Sequence, residues 1–125
     1  VKGQAVFLAE RASELMQDNI ITDRTIIDVM AFAKCSKSMY YFEADDFCSF
    51  ASHILEEYDY IFYVSPEGVK IENNGVRETD AEYRKLIDQN IQLLITKYRH
   101  KIKNLVEIEG STEERIKIVK QAVSL

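Results

Sequence analysis

The sequence predicts an α/β domain in which a parallel sheet carries helices on both faces. Three short stretches rich in β-branched or aromatic residues predict strands, and segments with helical periodicity separate them. Each separating segment is long enough for a crossover, which is the connection that parallel strands require. Three strands are few for such a sheet, so we expect the chain to correspond to the second half of a doubly wound domain.

The first 40 residues predict a helix, a strand and a second helix. Residues 4–16 predict a helix with one buried face, and the run 19–22 is short, β-branched and bounded by polar residues, which predicts a buried strand. Thr25 followed by Asp28 is a helix N-cap signature, so the second helix is expected to begin at Thr25 and to fade near 34–38. The residues expected to face inward are Ala5, Leu8, Ala12 and Leu15 in the first helix, and Ile26, Ile27, Val29, Met30 and Phe32 in the second.

The middle of the chain predicts a third helix over about 43–57 and the clearest strand over 60–64. Ser65 and Pro66 end this strand, and a polar loop follows them. The side chains expected to face inward from the third helix are Phe47, Phe50, Ala51, Ile54 and Leu55.

Two capping boxes mark helices in the last third of the chain. Thr79 with Glu82 opens a long helix, and Ser111 with Glu114 opens the last one. The stretch 104–110 between them predicts a third strand. The long helix is expected to end near 101. The residues expected to face inward are Tyr83, Ile87, Ile91, Leu94 and Tyr98 in the long helix, and Ile116, Val119 and Val123 in the last helix.

Composition and charge limit the classes of function. The 125 residues are 46% apolar and 30% charged, which suits one small globular domain. The net charge of −5 argues against binding along a nucleic acid backbone, and no apolar stretch is long enough to span a membrane. Cys35 and Cys48 are too few for a disulfide scaffold and lie in or beside apolar helical patterns, so we expect reduced, buried thiols in a cytoplasmic protein.

Polar residues follow each predicted strand, at the edge where parallel sheets bind ligands. They are Asp23 and Arg24 after the first strand, Arg77 and Arg84 in and after the loop behind the second, and Glu109, Gly110 and Ser111 after the third. A carboxylate near arginines suits phosphoryl transfer, because the acid holds Mg²⁺ or accepts a hydroxyl proton while arginines neutralise the moving phosphoryl group. The alternative for Asp23 and Arg24 is a helix cap with a surface ion pair.

Four stretches together resemble a known family. They are NIITDRTIIDVMAFA at 19–33, YDYIFYVSP at 58–66, NGVRETDAEYRKLID at 74–88 and VEIEGSTEERI at 106–116. In order and spacing they are similar to P-loop kinase-like ATPases, with an AAA domain of the nicotinamide-riboside-kinase and nucleoside- or nucleotide-kinase type. The resemblance covers nearly the whole chain after about residue 5. It implies a P-loop NTPase fold and a kinase that uses ATP and Mg²⁺.

The resemblance implies roles on the acceptor side of the reaction. Asp23 would help to hold Mg²⁺ or the acceptor hydroxyl, and Arg24 would contact a phosphate or brace the acceptor. Asp28 and Tyr41 are assigned with Arg24 to the binding of the acceptor substrate. The row Tyr40 to Phe42 is either a stacking wall for a nucleobase or, as we favour, core or edge packing.

The resemblance also implies roles on the ATP side. Arg77 matches the arginine of a lid motif, and Arg84 would be a second lid arginine, so both are assigned as catalytic. Gly110 and Ser111 match the loop beside the adenine ring. Asn74 stands where the family usually has Asp, so a lid carboxylate is not expected here.

One motif of such kinases does not occur in the 125 residues. No G-x-x-x-x-G-K-[ST] sequence is present, and the glycines at 3, 68, 75 and 110 are isolated. Since that loop binds the β- and γ-phosphates and the chain starts at Val1 rather than Met, we expect an incomplete, C-terminal portion of a kinase that phosphorylates a small molecule, nucleoside or nucleotide. The alternative is a non-catalytic α/β binding or oligomerisation module. Because lost strands would leave an apolar sheet edge uncovered, we expect this chain to self-associate or to bind a partner that covers the missing sheet half.

The cysteines and histidines and one basic run are weaker signals. Cys35, Cys48, His53 and His100 match no metal-binding spacing, so no zinc site is predicted. The basic run KYRHKIK at 97–103 suits the end of a helix better than a nucleic acid footprint.

Overall fold

The computed structural model describes residues 2–37, 39–65 and 78–123, and within these ranges it contains five α-helices and one small sheet. In chain order the elements are α1 (Lys2–Glu14), α2 (Ile26–Cys35), α3 (Tyr41–Ala51), β1 (Ile61–Val64), α4 (Glu78–Lys97), β2 (Leu105–Ile108) and α5 (Thr112–Ala122), with 3₁₀ turns at Ser52–Glu57 and Arg99–Lys101. None of the described helices has the length and apolar character needed to cross a membrane.

The two strands pair in parallel, as the sequence predicts for 60–64 and 104–110. The register places Ile61 opposite Leu105 and Val64 opposite Ile108. The segment between the strands contains α4, which provides the long crossover that a parallel pair needs. Ile61 is buried in the main core and Leu105 packs against it, so the sheet joins the helical layer through this pair.

The predicted strand over 19–22 is wrong. These residues form bends and loop, and among the described strands β1 pairs only with β2. Asn19 has φ 55°, in the left-handed region, which interrupts an extended backbone, and the Ile21 side chain is 95% exposed. A β-branched run forms a buried strand only where a neighbouring strand accepts its hydrogen bonds, and no described strand does so here. Asp23 and Arg24 therefore lie in a loop rather than at the end of a strand.

Helix α2 lies at the centre of the core because it is apolar on nearly all sides. Its sequence, IIDVMAFAKC, carries charge only at Asp28 and Lys34, and Ile26, Met30 and Ala31 have no exposed surface. Helices α1, α3 and α4 and the first 3₁₀ turn all pack against it. The residues that the sequence predicts to face inward from α2 are buried, except that Phe32 is only half-buried.

Three hydrogen bonds close the N-terminus of α2. The backbone N–H of Thr25 donates to Asp28 Oδ2 at 2.9 Å, and that of Ile27 donates to Thr25 Oγ1 at 3.1 Å, which is a complete capping box. The N–H of Ile26 donates to the Tyr58 hydroxyl at 3.1 Å in a buried contact that links segments 32 residues apart. The predicted cap at Thr25 is confirmed. Burial raises the pKa of the Tyr58 phenol, which keeps this acceptor neutral.

Helix α3 packs through small residues rather than through the aromatic face that the sequence predicts. Phe50, expected to be inward, is 65% exposed, whereas Ala44, Cys48 and Ala51 are buried. Small side chains at this spacing allow α3 to approach α2 closely, and Cys48 Sγ lies 3.5 Å from the Met30 carbonyl oxygen. The single helix expected over 43–57 is α3 followed by the 3₁₀ turn Ser52–Glu57.

The inward faces of the outer helices are only partly as predicted. In α4 and the turn after it, Leu94 and Tyr98 are buried as expected, but Tyr83 is substantially exposed.

Ile116 of α5 is predicted to face inward but is 50% exposed, because α5 lies at the margin of the fold with β2 as its main neighbour. In α1, Leu8 packs against the core while Ala5 is exposed. The Thr79 side chain of the proposed capping box lies outside the described residues.

The buried contact of Tyr58 leads to a stability prediction. Replacing Tyr58 with Phe removes the acceptor of the Ile26 N–H while leaving the ring, so a buried donor loses its partner. We expect the free energy of unfolding to fall by about 1–2 kcal/mol. Urea unfolding measures the change, and Tyr60→Phe is the matched control because Tyr60 is partly exposed and stacks on Phe62. Equal stabilities of the two variants would contradict the prediction.

Candidate ligand-binding site

A cleft of about 470 Å³ opens between α1, α2 and the N-terminal part of α4. Its walls combine three aromatic rings with charged side chains on neighbouring elements. The residues that matter chemically are Phe7, Arg11, Arg24, Asp28, Phe32 and Tyr83. Apolar and aromatic walls with a few polar groups are typical of sites that bind small molecules.

Arg24 is held in a strained backbone conformation at the mouth of the cleft. Its φ is 72°, in the left-handed region that disfavours residues with a side chain, and the Thr22 hydroxyl donates to its carbonyl oxygen at 3.0 Å. The guanidinium carbon lies 5.9 Å from the centroid of the Phe32 ring. No carboxylate among the described residues pairs with it, so its hydrogen-bond donors remain available to a ligand.

Asp28 lines the same cleft but also has a structural task. Its Oδ2 accepts the Thr25 N–H of the capping box. Because the first N–H groups of α2 are already taken by Thr25, Asp28 and Tyr58, they are not free to bind a phosphate. An anion in this cleft would therefore have to be recognised by side chains, and Arg24 is the one placed to do so.

Arg11 forms the α1 side of the cleft. Its Nη2 lies 2.8 Å from Glu14 Oε1 and 3.9 Å from Glu10 Oε2, so its charge is already compensated. Its Nε is buried and has no hydrogen-bond partner among the described residues. An orphaned donor of this kind is uncommon in a folded chain, and here it belongs to a residue of the cleft wall.

The other acceptor-side candidates lie outside this cleft. Asp23 is exposed beside Arg24 and makes no hydrogen bond or ion pair with the described residues, so its carboxylate is free to coordinate a cation. One free carboxylate fits Mg²⁺, which usually binds one or two protein carboxylates together with phosphates and water. Tyr41 is 78% exposed, and the Lys34 ammonium lies 5.2 Å from its ring centroid. The structure thus brings Arg24 and Asp28 together but not Tyr41.

The arginines assigned to the lid are separated from the cleft or not described. Arg84 is exposed on α4, next to Tyr83 but not in the cleft lining. Arg77 lies outside the described residues, as does Asn74. Their roles over a bound nucleotide therefore stay predictions.

Gly110 and Ser111 form the turn that begins α5. Gly110 has φ 99°, which favours glycine, and its carbonyl oxygen accepts a bond from Arg115 Nε at 2.9 Å. The Ser111 hydroxyl accepts the Glu114 N–H at 3.2 Å, so the predicted cap at Ser111 is confirmed. Contact of this turn with an adenine ring stays a prediction.

A second pocket, of about 330 Å³, lies beside the carboxyl ends of the strands, where parallel sheets usually bind ligands. Glu107 and Glu109 line it, and no basic side chain does. The Tyr63 hydroxyl donates to Asp88 Oδ1 at 2.6 Å and accepts from Gln92 Nε2 at 3.1 Å. Burial and the adjacent carboxylate raise the pKa of Tyr63 to about 12. The negative lining makes this pocket unsuited to a phosphate.

The remaining candidate features give no second site. Tyr40 and Phe42 stack on each other with centroids 5.7 Å apart and are both largely exposed, so of the predicted core or edge packing the structure excludes the core. Cys48 is buried and Cys35 is partly buried, and both are free thiols. Within the described ranges, no group of three or more His, Cys, Asp or Glu side chains is arranged to hold a metal.

Sequence reasoning missed Arg11 and Phe7 and assigned Phe32 and Tyr83 to the core. Arg11 lies three positions after Leu8 on the side of α1 that packs inward. A charged residue at such a position was the available signal, because a buried helix face that carries an arginine needs a partner for it.

A family model described as an AAA domain matches residues 3–115, a span that includes the cleft and both strands. No curated protein and no solved structure matches the chain.

The strained backbone at position 24 leads to a prediction about stability that depends on the backbone conformation and not on the arginine side chain. Arg24→Gly relieves the left-handed strain whereas Arg24→Ala keeps it, so we expect the glycine variant to be more stable by about 1 kcal/mol. The control is the pair Asp18→Gly and Asp18→Ala in the same loop, where φ is not positive and alanine should be the more stable. Urea unfolding provides all four values. A more stable alanine at position 24 would show that the backbone there is not strained.

The contact of Tyr63 with Asp88 leads to a prediction about titration. Because the folded-state pKa is raised to about 12, the stability contributed by Tyr63 is full below about pH 10 and is lost as the pH rises towards 12. Asp88→Asn should lower this pKa but leave it above about 10, since burial, the larger cause, remains. NMR titration of ¹³Cζ-labelled tyrosine measures the shift, with Glu82→Gln as an exposed control on the same helix. An unchanged Tyr63 pKa in Asp88→Asn would contradict the assigned hydrogen bond.

Proposed function

Because the chain belongs to the AAA domain family, we propose that it is part of a nucleotide-binding protein that transfers a phosphoryl group from ATP to a small molecule, a nucleoside or a nucleotide. AAA domains are nucleotide-binding domains of the P-loop NTPase type, and the parallel pair β1–β2 with its helices is consistent with such a fold. The kinase activity and the acceptor go beyond the family match and form the proposal.

The observation that carries the proposal is the arrangement at Asp23 and Arg24. The free carboxylate of Asp23 is next to Arg24, whose guanidinium lines the cleft without a carboxylate partner among the described residues, and the backbone at Arg24 is strained. Surface ion pairs do not need strained backbone, whereas functional sites often retain it. In phosphoryl transfer these two groups have defined tasks, because the charge of the transferred group must be neutralised and its acceptor held in line.

The proposed division of labour assigns each group a task. Asp23 would hold Mg²⁺, which supplies charge neutralisation at the phosphates when bound, and Arg24 would orient the acceptor in the cleft. Arg77 and Arg84 would neutralise the transferred group, and Gly110 with Ser111 would contact the adenine. The tasks of Arg77, Arg84, Gly110 and Ser111 rest on the resemblance of their sequence motifs.

P-loop kinases bind the β- and γ-phosphates of ATP through backbone N–H groups of a glycine-rich loop at a helix N-terminus. The sequence has no G-x-x-x-x-G-K-[ST] loop, and the N-terminus of α2 is already closed by its own cap. We therefore propose that the chain forms the C-terminal part of a P-loop kinase-like domain and that the phosphate-binding loop is supplied by residues other than these 125. Further strands would then extend the two-stranded sheet and place helices on both of its faces.

The second candidate function is a non-catalytic binding or oligomerisation module. The observation that favours it is the exposure of large apolar side chains, among them Met16 and Ile21 in the loop after α1 and Phe42 and Phe50 on α3. Exposed apolar surface of this kind is typical of interaction sites. A module of this class would self-associate or bind a partner without any dependence on nucleotide.

A phosphoryl-transfer assay tests the proposal. The protein is incubated with [γ-³²P]ATP, Mg²⁺ and a set of nucleosides, nucleoside monophosphates and nicotinamide riboside, as the 125-residue chain and as any longer natural form that carries a phosphate-binding loop. We expect no turnover from the 125-residue chain, and turnover from the longer form that falls at least about 100-fold in Asp23→Asn. Asp18→Asn, in the same loop, is the matched control and should retain activity.

The same preparations distinguish the two candidate functions. An inactive longer form that assembles into a defined oligomer by light scattering would replace the kinase with the module. Equal activity of Asp23→Asn and the unmodified protein would show that the carboxylate does not serve the reaction.

A further inference from the structure

We infer that the cleft between α1, α2 and α4 binds a planar aromatic molecule that already carries a phosphate, of the class of a nucleoside monophosphate, in preference to the neutral nucleoside. The inference deepens the proposed function, on which it rests for the view that this ligand is the phosphoryl acceptor. The binding itself requires neither ATP nor Mg²⁺, so it is measurable on the 125-residue chain.

The aromatic half of the ligand follows from the rings of the cleft. Phe7, Phe32 and Tyr83 come from three different helices and converge on one space. Phe7 and Tyr83 are both substantially exposed, which leaves ring surface open to a stacking partner. A flat aromatic group is the ligand that three convergent rings accept best, because stacking on aromatic side chains tolerates any base.

The charged half of the ligand follows from Arg24. Arg11 in the same wall is compensated by Glu14 and Glu10, whereas Arg24 has no carboxylate partner among the described residues and keeps a planar fork of donors available. A guanidinium fork matches the oxygens of a phosphate in a bidentate arrangement, which neither a hydroxyl nor a neutral ring offers. The strained backbone at this residue shows that its position is maintained against a conformational cost.

The orientation of the ligand follows from the acidic side chains. Glu10 and Asp28 also line the cleft, so a phosphate is repelled by these two carboxylates and attracted to Arg24. The aromatic ring of the ligand then lies against the side chains of Phe7, Phe32 and Tyr83. Asp28 Oδ2 already accepts one N–H, and the remaining acceptor capacity of this carboxylate suits a ligand N–H or hydroxyl rather than a second anion.

Binding measurements on matched ligands test the inference. We propose isothermal titration calorimetry, with NMR chemical-shift mapping, of the 125-residue chain with 5′-mononucleotides, the matching nucleosides, ribose 5-phosphate and inorganic phosphate. We expect at least one mononucleotide to bind about tenfold more tightly than its nucleoside and than ribose 5-phosphate, since both halves of the ligand contribute. The shifts should involve Phe7, Phe32 and Tyr83.

Variants test which residue binds the phosphate of the ligand and which binds its aromatic ring. Arg24→Gln should weaken mononucleotide binding about tenfold and leave nucleoside binding unchanged, and Arg24→Lys, which keeps the charge but not the fork, should restore only part of the loss. Phe32→Leu should weaken nucleoside and mononucleotide equally. Lys120→Gln removes the same charge from the exposed side of α5 and is the control. Arg24 is exposed in a loop, and a thermal melt verifies that each variant is folded.

The outcomes separate this inference from the kinase proposal. The inference is overturned if nucleosides bind as tightly as mononucleotides. It is also overturned if all phosphate-containing ligands bind alike and their binding responds equally to Arg24→Gln and Lys120→Gln. Mononucleotide binding without any turnover in the longer form would uphold the inference and reject the kinase. Turnover of a neutral nucleoside without mononucleotide binding would uphold the kinase and reject the inference.

Discussion

The closed N-terminus of α2 is the constraint on which the rest of the structure depends. Helix α2 contacts three other helices and a 3₁₀ turn, so its direction sets the positions of all of them. That direction is fixed at one end by the capping box of Thr25 and Asp28 and by the buried hydroxyl of Tyr58, which comes just before β1. The hydrogen bond donated by the Ile26 N–H therefore ties α2 to the segment just before β1, in surroundings where an unpaired donor is costly.

The same cap decides how the neighbouring cleft can recognise a ligand. Helix N-termini often bind phosphates through free N–H groups, but here those groups are already bonded within the protein. Recognition of an anion has to come from a side chain, and the loop before α2 provides Arg24 in a left-handed conformation. Thr25 therefore serves the cap, whereas the neighbouring Arg24 is the residue for which we propose ligand recognition.

Parts of the candidate site could be predicted from the sequence. Asp23 and Arg24 stand out because charged residues interrupt an apolar run just before a cap, and Asp28 is identified by its spacing from Thr25. The cleft itself was not predictable. Phe7, Arg11 and Tyr83 lie on helices far apart in the sequence, and they converge only because α1 and α4 pack on α2. Phe32 has the spacing of a core residue, but its ring is only half-buried and lies beneath the Arg24 guanidinium.

The sequence by itself determined where α2 and α5 begin and that the two strands are parallel, because caps, turn residues and crossover length act locally. Ser111 and Thr25 cap the helices that their spacing predicts, and the strands within 60–64 and 104–110 pair as expected. Tertiary structure alone decided which apolar residues are buried. The run 19–22 has the composition of a strand but no described neighbour to pair with, and on α3 the small residues face α2 while Phe50 points outward. Burial depends on which elements meet and how closely, and no local pattern contains that information.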